Sequence, residues 1–203
     1  MTQAERQERS RQRIFDAAME EFAADEYDAV SMGRICSRHK ISKGLMYHYY
    51  KSREELFLLC VEDTFRAMRD YILENARKPD GENTKETIRD FYMLRERFLR
   101  QNPQRRRVFE TAFFHTPPNL AAEIEKLHEP IFQLDREFMR DVVAHMPLRS
   151  GVKAESVIGL LEGIGYLIRT AVGRGIRFKS FDEAADYLDE TLDMALYGVL
   201  RQN

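Results

Sequence analysis

The chain has no tryptophan, two cysteines, six prolines and ten glycines in 203 residues. So few Gly and Pro leave long stretches unbroken, and the abundance of Leu, Glu, Arg, Ala and Met favours helices over strands. Two thiols, Cys36 and Cys60, cannot build the disulfide framework of a small secreted domain. Both fall within helical apolar patterns, so they read as core residues in a reducing compartment. No uncharged stretch approaches the roughly 20 residues of a membrane span. Arg6, Arg9, Arg11 and Arg13, interleaved with Glu5 and Glu8, have no apolar block behind them and so lack the form of a secretory signal. A cytoplasmic protein without a membrane partner is expected. No alternating run calls for a sheet, and no internal repeat is present.

Charge is small in total, −2, but unevenly placed. Residues 1–53 carry ten Lys/Arg against eight Asp/Glu, and residues 54–203 carry 22 against 26. Ala29 to Arg53 contains Arg34, Arg38, Lys40, Lys43, Lys51 and Arg53 and no acid. A basic patch on an otherwise acidic chain suits a polyanionic partner.

Hydrophobic spacing predicts helices throughout. The first opens at a capping box, Thr2 with Glu5, and runs to about Ala24 with Ile14, Ala17, Ala18 and Phe22 inward. Ser31 caps a short helix to about His39, facing Met32, Ile35 and Cys36 inward. A tight break follows at Lys40 and Ile41, then a second short helix, Ser42 to about Tyr50. Ser52 and Glu55 read as another capping box for a long helix to about Ala76, ended by Pro79, Asp80 and Gly81. Beyond it, 84–101, 103–115, 119–127 and 130–145 are predicted as four helices. The last two helices carry the longest stripes, Val157, Leu160, Leu161, Ile164, Ile168, Ala171 and Val172, then Phe181, Ala184, Ala185, Leu188, Leu192, Ala195, Leu196 and Val199.

Two short helices joined by a tight turn, braced by a preceding helix and set in a basic patch, make a helix-turn-helix. The major groove of B-DNA admits one helix, which must offer its exposed face to base edges. In the segment from Ser42 to Tyr50, Met46 and Tyr50 face the core and leave Lys43, Leu45, Tyr47, His48 and Tyr49 exposed. Gly44 removes a side chain where backbone must approach the duplex, and Lys51 and Arg53 sit where the next helix begins.

The run SMGRICSRHKISKGLMYHYYKSREEL, Ser31 to Leu56, resembles the DNA-binding segment of the TetR family of bacterial regulators, as does RIFDAAMEEF, Arg13 to Phe22, more weakly. Gly44, Tyr47, Tyr50, Ser52, Glu55 and Leu56 are its specific signature. The family usually has Ala-Gly in the turn where this chain has His39 and Lys40. The resemblance implies an all-α fold: a three-helix DNA-binding domain over residues 1–53, then a ligand-binding and dimerisation bundle over residues 54–203. It implies DNA contacts at Ser31, Ser42, Lys43, Gly44, Tyr47, His48, Tyr49 and Arg53. Lys43, Leu45 and His48 are expected to face bases, and Ser31, Tyr47, Tyr49, Lys51 and Arg53 to hold phosphates.

The last two helices, about 152–173 and 181–201, have a second partly apolar side at Tyr166, Tyr187, Thr191, Met194 and Gly198. A helix apolar on two sides needs two partners, so a homodimer through this pair is expected, with Gly159 and Gly163 read as sites of close packing. The middle helices are rich in Phe and Met. If they hold an effector it is small and largely apolar, with Met68, Tyr92, Arg95, Phe109, Phe113 and His115 as pocket candidates and Tyr92, Arg95 or His115 as the polar anchor. Arg105, Arg106 and Arg107 read as surface residues, and so does the pair Glu125 and His128, which lacks the second copy a di-iron bundle needs. Scattered histidines and the missing nucleophile elbow, phosphate loop and metal-ligand spacing argue against an enzyme, a metal site or a cofactor. The expected function is a ligand-responsive repressor that leaves a palindromic operator when the effector binds. The alternatives are an activator of the same build, an architectural DNA binder without effector, and a helical enzyme.

Overall fold

The structure is a computed structural model and describes residues 2–173 and 181–199. Among these residues it is all α, with nine α-helices and no strand: α1 Gln3–Ala24, α2 Met32–Arg38, α3 Lys43–Tyr49, α4 Arg53–Asn75, α5 Thr84–Gln101, α6 Pro103–Phe114, α7 Ala121–Ala144, α8 Ala154–Gly173 and α9 Phe181–Val199. Short 3₁₀ turns at Tyr27–Ala29 and Pro118–Leu120 lead into α2 and α7. None of these helices is long and apolar enough to cross a membrane.

Most of these boundaries follow local chemistry. Thr2 and Glu5 form the reciprocal capping box, each accepting the other's backbone N–H. At the second predicted box only half forms. Ser52 accepts the Glu55 N–H at 3.2 Å, but the Glu55 carboxylate takes the Lys51 N–H at 2.6 Å, one residue further out.

The expectation of two helices over 119–127 and 130–145 is corrected. They are one helix, α7, with Pro130 inside it. A mid-helix proline forfeits its own N–H bond. The apolar run from Ile124 through Ile131, Phe138, Met139, Val142 and Val143, all buried, keeps helical spacing across that point and favours continuation.

The chain forms two compact units that do not follow sequence order. The first takes residues up to Ala67 together with Leu99–His128, and so contains all of the predicted DNA-binding domain and α6. There α1 packs along α6. Ile14, Phe22, Ile35, Met46, Leu56, Phe57 and Val108 are each at most 1% exposed, and a large apolar side chain buried so fully contributes about 2–3 kcal/mol. The Phe22 and Tyr27 rings meet Phe57 at 5.0 and 4.8 Å. Arg105, one-third exposed, pairs with Asp63 of α4 at 2.7 Å. His128 packs its ring against Phe65 at 4.9 Å and Phe113 at 5.8 Å.

The second unit takes Met68–Phe98 and the described chain from Glu129 onward. Phe91 of α5 stacks on Phe138 of α7 at 3.7 Å between ring centres, nearly parallel. Two ion pairs one turn apart, Lys85 with Asp193 at 2.8 Å and Arg89 with Asp189 at 3.1 Å, tie α5 to α9. Gly81 adopts φ +84°, and a Cβ there would lie 2.5 Å from the His145 carbonyl oxygen, so this turn requires glycine.

Candidate DNA interface

The turn between α2 and α3 is the most heavily braced loop of the first unit. Helix α2 ends at His39, Lys40 enters the left-handed region with φ 51°, and the Ile41 N–H donates to the Cys36 carbonyl at 2.9 Å. This is the backbone bond of a Schellman closure, and both Ile41 and Cys36 are buried. The Arg13 guanidinium donates to the carbonyls of His39 and Lys40, each at 3.0 Å, so α1 grips the turn through backbone.

Beneath it lies Glu21, a carboxylate only 3% exposed. Arg34 Nε donates to it at 2.7 Å, Arg38 Nε lies at 3.3 Å and His39 Nε2 at 3.1 Å. Arg34 also pairs with Asp25 and donates to the Ala29 carbonyl at 3.3 Å. A buried charge survives only when paired and hydrogen-bonded, and Glu21 meets that condition with three partners on α2 and its turn. Sequence reading missed Glu21 because its three partners lie 13 to 18 residues away.

Helix α3 is thereby held with one side down and the other open. Met46 is fully buried, Leu45, Tyr49 and Tyr50 are half-buried, and Lys43, Gly44, Tyr47 and His48 are exposed. Ser31 and Ser42 cap α2 and α3, their hydroxyls accepting the N–H of Arg34 and Leu45 at 3.2 Å. A Cβ added at Gly44 would meet nothing within 4 Å, so no packing inside the chain demands this glycine. The His48 and Tyr49 rings meet edge to face at 4.7 Å, and the Arg11 guanidinium lies 5.4 Å from the Tyr49 ring centre. Lys51 is exposed just beyond.

Arg53 is placed differently from these. Its guanidinium turns inward over Tyr27, pairs with Glu54 at 3.2 Å and Asp28 at 3.8 Å, and donates to the carbonyls of Tyr27 and Val30. With Arg34 and Arg38 also paired, three of the six cations in the acid-free stretch are engaged internally. Lys40, Lys43 and Lys51 are exposed, and so is Arg38, whose side chain is 56% exposed beside Glu21.

Residues 14–60 match the family described as bacterial regulatory proteins, tetR family. The helix-turn-helix segment belongs to the TetR family. Over 152 residues the chain is 24% identical to the HTH-type transcriptional repressor KstR of Rhodococcus jostii (strain RHA1), covering 75% of this chain and 68% of that protein. Its fold is that of solved TetR-family structures. A TetR/AcrR regulator from Thermobifida fusca superposes with a TM-score of 0.60 at 22% identity, over 96% of this chain and 100% of the other. The fatty acid degradation regulator FadR from Bacillus halodurans gives 0.60 at 13% identity, over 91% and 93%. Residues 14–60 thus carry a TetR-type DNA-binding segment, set in a chain with the fold of these structures.

The six pocket candidates fall into separate groups. Phe109 and Phe113 stack at 5.1 Å within a first-unit cluster that includes Phe65, Phe114 and His128, while His115 caps the end of α6 and is exposed. In the second unit Met68 is buried. Arg95 lies 5.1 Å from the Tyr92 ring centre, donates to the Phe91 carbonyl at 3.1 Å and pairs with Asp135. Burial, with the nearby Asp135 charge, pushes the Tyr92 phenol far above its usual range. A polar cleft of about 130 Å³ in this unit, lined by Asn75, Lys78, Glu86, Asp90 and Arg97 among others, includes none of the six.

Proposed function

We propose that the chain is a TetR-type repressor that binds a palindromic operator as a homodimer and releases it when a small, largely apolar effector occupies the body. The observation that carries the reading is the open face of α3. Lys43, Gly44, Tyr47 and His48 are exposed on a helix locked from behind by Met46 and by the Glu21 and Arg13 contacts, with free space where Gly44 lacks a side chain. A rigid helix with a clear approach is what insertion into the major groove requires. Lys43, Leu45 and His48 are assigned to bases, and Ser31, Ser42, Tyr47, Tyr49 and Lys51 to phosphates. Arg53 acts through the scaffold it holds.

Homodimerisation is assigned to α8 and α9. Val157, Leu161, Ile164, Leu188, Leu192 and Leu196 are buried, whereas Leu160, predicted inward, is 42% exposed, and Met194 and Tyr197 are 72% and 74% exposed. Tyr187 and Thr191 are half-buried. A Cβ at Gly159 or Gly163 meets nothing within 4 Å, so the expectation that these glycines mark close packing does not hold within one chain, and their open surface suits a second copy. Tyr166 and Gly198, also assigned to this interface, lie outside the residues whose burial is described. Repression follows the sign of KstR. The apolar effector is assigned to the neighbourhood of the phenylalanine cluster around Phe109 and Phe113, on its chemistry.

Selection of bound duplexes from a random DNA pool at two salt concentrations tests the reading. The expected result is a palindromic site bound by dimers. Recovery of unenriched DNA at both concentrations overturns it.

A further inference from the structure

The helix-turn-helix spends part of its basic residues on itself: Arg34 and Arg53 face Glu21, Asp25, Asp28 and Glu54, and Arg38, though more than half exposed, turns its Nε toward Glu21. Phosphate contacts supply much of the affinity of a DNA-binding protein, and those that carry its salt dependence come from cations that reach solvent. Further exposed cations stand on the neighbouring helix.

Helix α1 begins at Gln3, but its first buried residue is Ile14. The turns before it make no core, yet they are closed by the reciprocal Thr2–Glu5 cap, which occupies the Glu5 carboxylate at 2.7 Å from the Thr2 N–H. Arg6, Arg9 and Arg13 fall at i, i+3 and i+7 and share one face. The lower end of this row is fixed, because Arg13 grips the α2–α3 turn through two carbonyls. Arg9 and Arg6, both exposed, continue the row outward by about 10 Å. On another side of the same turns Arg11 lies over Tyr49 of α3, so the extension is tied both to the turn and to the reading helix.

We propose that these N-terminal turns of α1 are a second DNA contact, in which Arg6 and Arg9 bind backbone phosphates beside those met by α3. The inference rests on the DNA-binding reading above and extends its surface to a segment outside the matched residues 14–60. The contact is sequence-independent: it adds affinity and fixes register, and leaves base preference to α3.

The test measures binding of a fluorescent random-sequence duplex of about 30 base pairs by anisotropy over a salt series, using the full chain, Arg6→Ala with Arg9→Ala, Arg6→Lys with Arg9→Lys, and Lys51→Ala. Two lost phosphate contacts reduce the slope of log affinity against log salt by close to two units, at about 0.9 per contact. The lysine pair is expected to keep the parental slope, and circular dichroism to show unchanged helix content. If the alanine pair loses helix, Arg6→Gln with Arg9→Gln gives the same reading without charge. A parental slope in the uncharged pair overturns this inference, and a reduced slope in Lys51→Ala leaves the DNA-binding reading standing. No binding of the duplex by the parent chain overturns both.

Discussion

The guanidinium of Arg53 lies 4.2 Å from the ring centre of Tyr27, and the same side chain donates to the Tyr27 and Val30 carbonyls at 3.4 Å. It therefore joins the start of α4 to the segment that leads into α2. Arg53→Ala removes a stacking contact and a partly exposed ion pair, together worth about 1–2 kcal/mol. Urea unfolding is expected to show that loss, while the salt slope of DNA binding stays parental. A parental stability with a reduced slope would return Arg53 to the phosphates. Arg53→Lys is expected to restore little, since an ammonium cannot reproduce the planar stack.

Acid should weaken the same junction. Backbone N–H donation, with the Ser52 hydroxyl and Arg53 nearby, holds the Glu54 carboxyl below its usual range despite partial burial. A carboxyl lowered by folding contributes stability that is fully present above its unfolded value and lost as pH falls through its folded value. The stability difference between the parent and Arg53→Ala is therefore expected to shrink as pH drops through and below the ordinary carboxylate range. A constant difference from neutral pH down to acid unfolding would assign the Arg53 contribution to Tyr27 and the carbonyls alone.

Most of the architecture was legible because it is locally encoded. The caps at Thr2, Ser31, Ser42 and Ser52, the loop at Pro79 to Gly81 and the buried stripe of α1 each follow from residues a few positions apart. What was illegible depends on contacts distant in sequence. Nothing local reveals that Glu21 gathers Arg34, Arg38 and His39, or that Arg53, expected at the phosphates, turns inward. Pro130 misled for the opposite reason: its strong local signal for a break lost to an apolar stripe continuing across it. Leu160 fits the inward stripe by spacing, and its exposure reflects a helix with a second apolar side.

Lys40 holds φ 51° in the turn before α3, where the TetR pattern usually has glycine. A residue with a Cβ pays roughly 1 kcal/mol in that region, partly offset because glycine loses more freedom on folding. Lys40→Gly is expected to raise unfolding stability by about 0.5 kcal/mol. Binding to DNA should weaken modestly through the lost charge. A destabilised variant would mean that the lysine side chain itself holds the turn.

Both thiols are sealed by packing. Cys60 is fully buried and Cys36 is 5% exposed, and burial pushes both thiols up, that of Cys36 even with Lys43 nearby. Since the thiolate is the reactive form, neither is expected to react with iodoacetamide in the folded protein at mildly alkaline pH, and both should react in urea. Rapid labelling of Cys36 in the native protein would show that α2 opens readily, against the bracing by Arg13 and Glu21.

Gly44 separates the demands of folding from those of DNA. It lies in the first turn of α3, and no atom stands within 4 Å of where its Cβ would be. Alanine is the better helix former there by about 0.5–1 kcal/mol, so Gly44→Ala is expected to leave stability unchanged or raise it slightly. On DNA the added methyl group stands between the α3 backbone and the duplex, and a loss of about tenfold or more in operator affinity, equivalent to about 1.4 kcal/mol, is expected. Thermal unfolding and operator titration of one variant measure both. Higher stability with weaker binding is the signature of a glycine kept for its ligand. Unchanged binding would mean that α3 stands further from the groove floor than its open face suggests, and that Lys43 and His48 reach the bases through side-chain length alone.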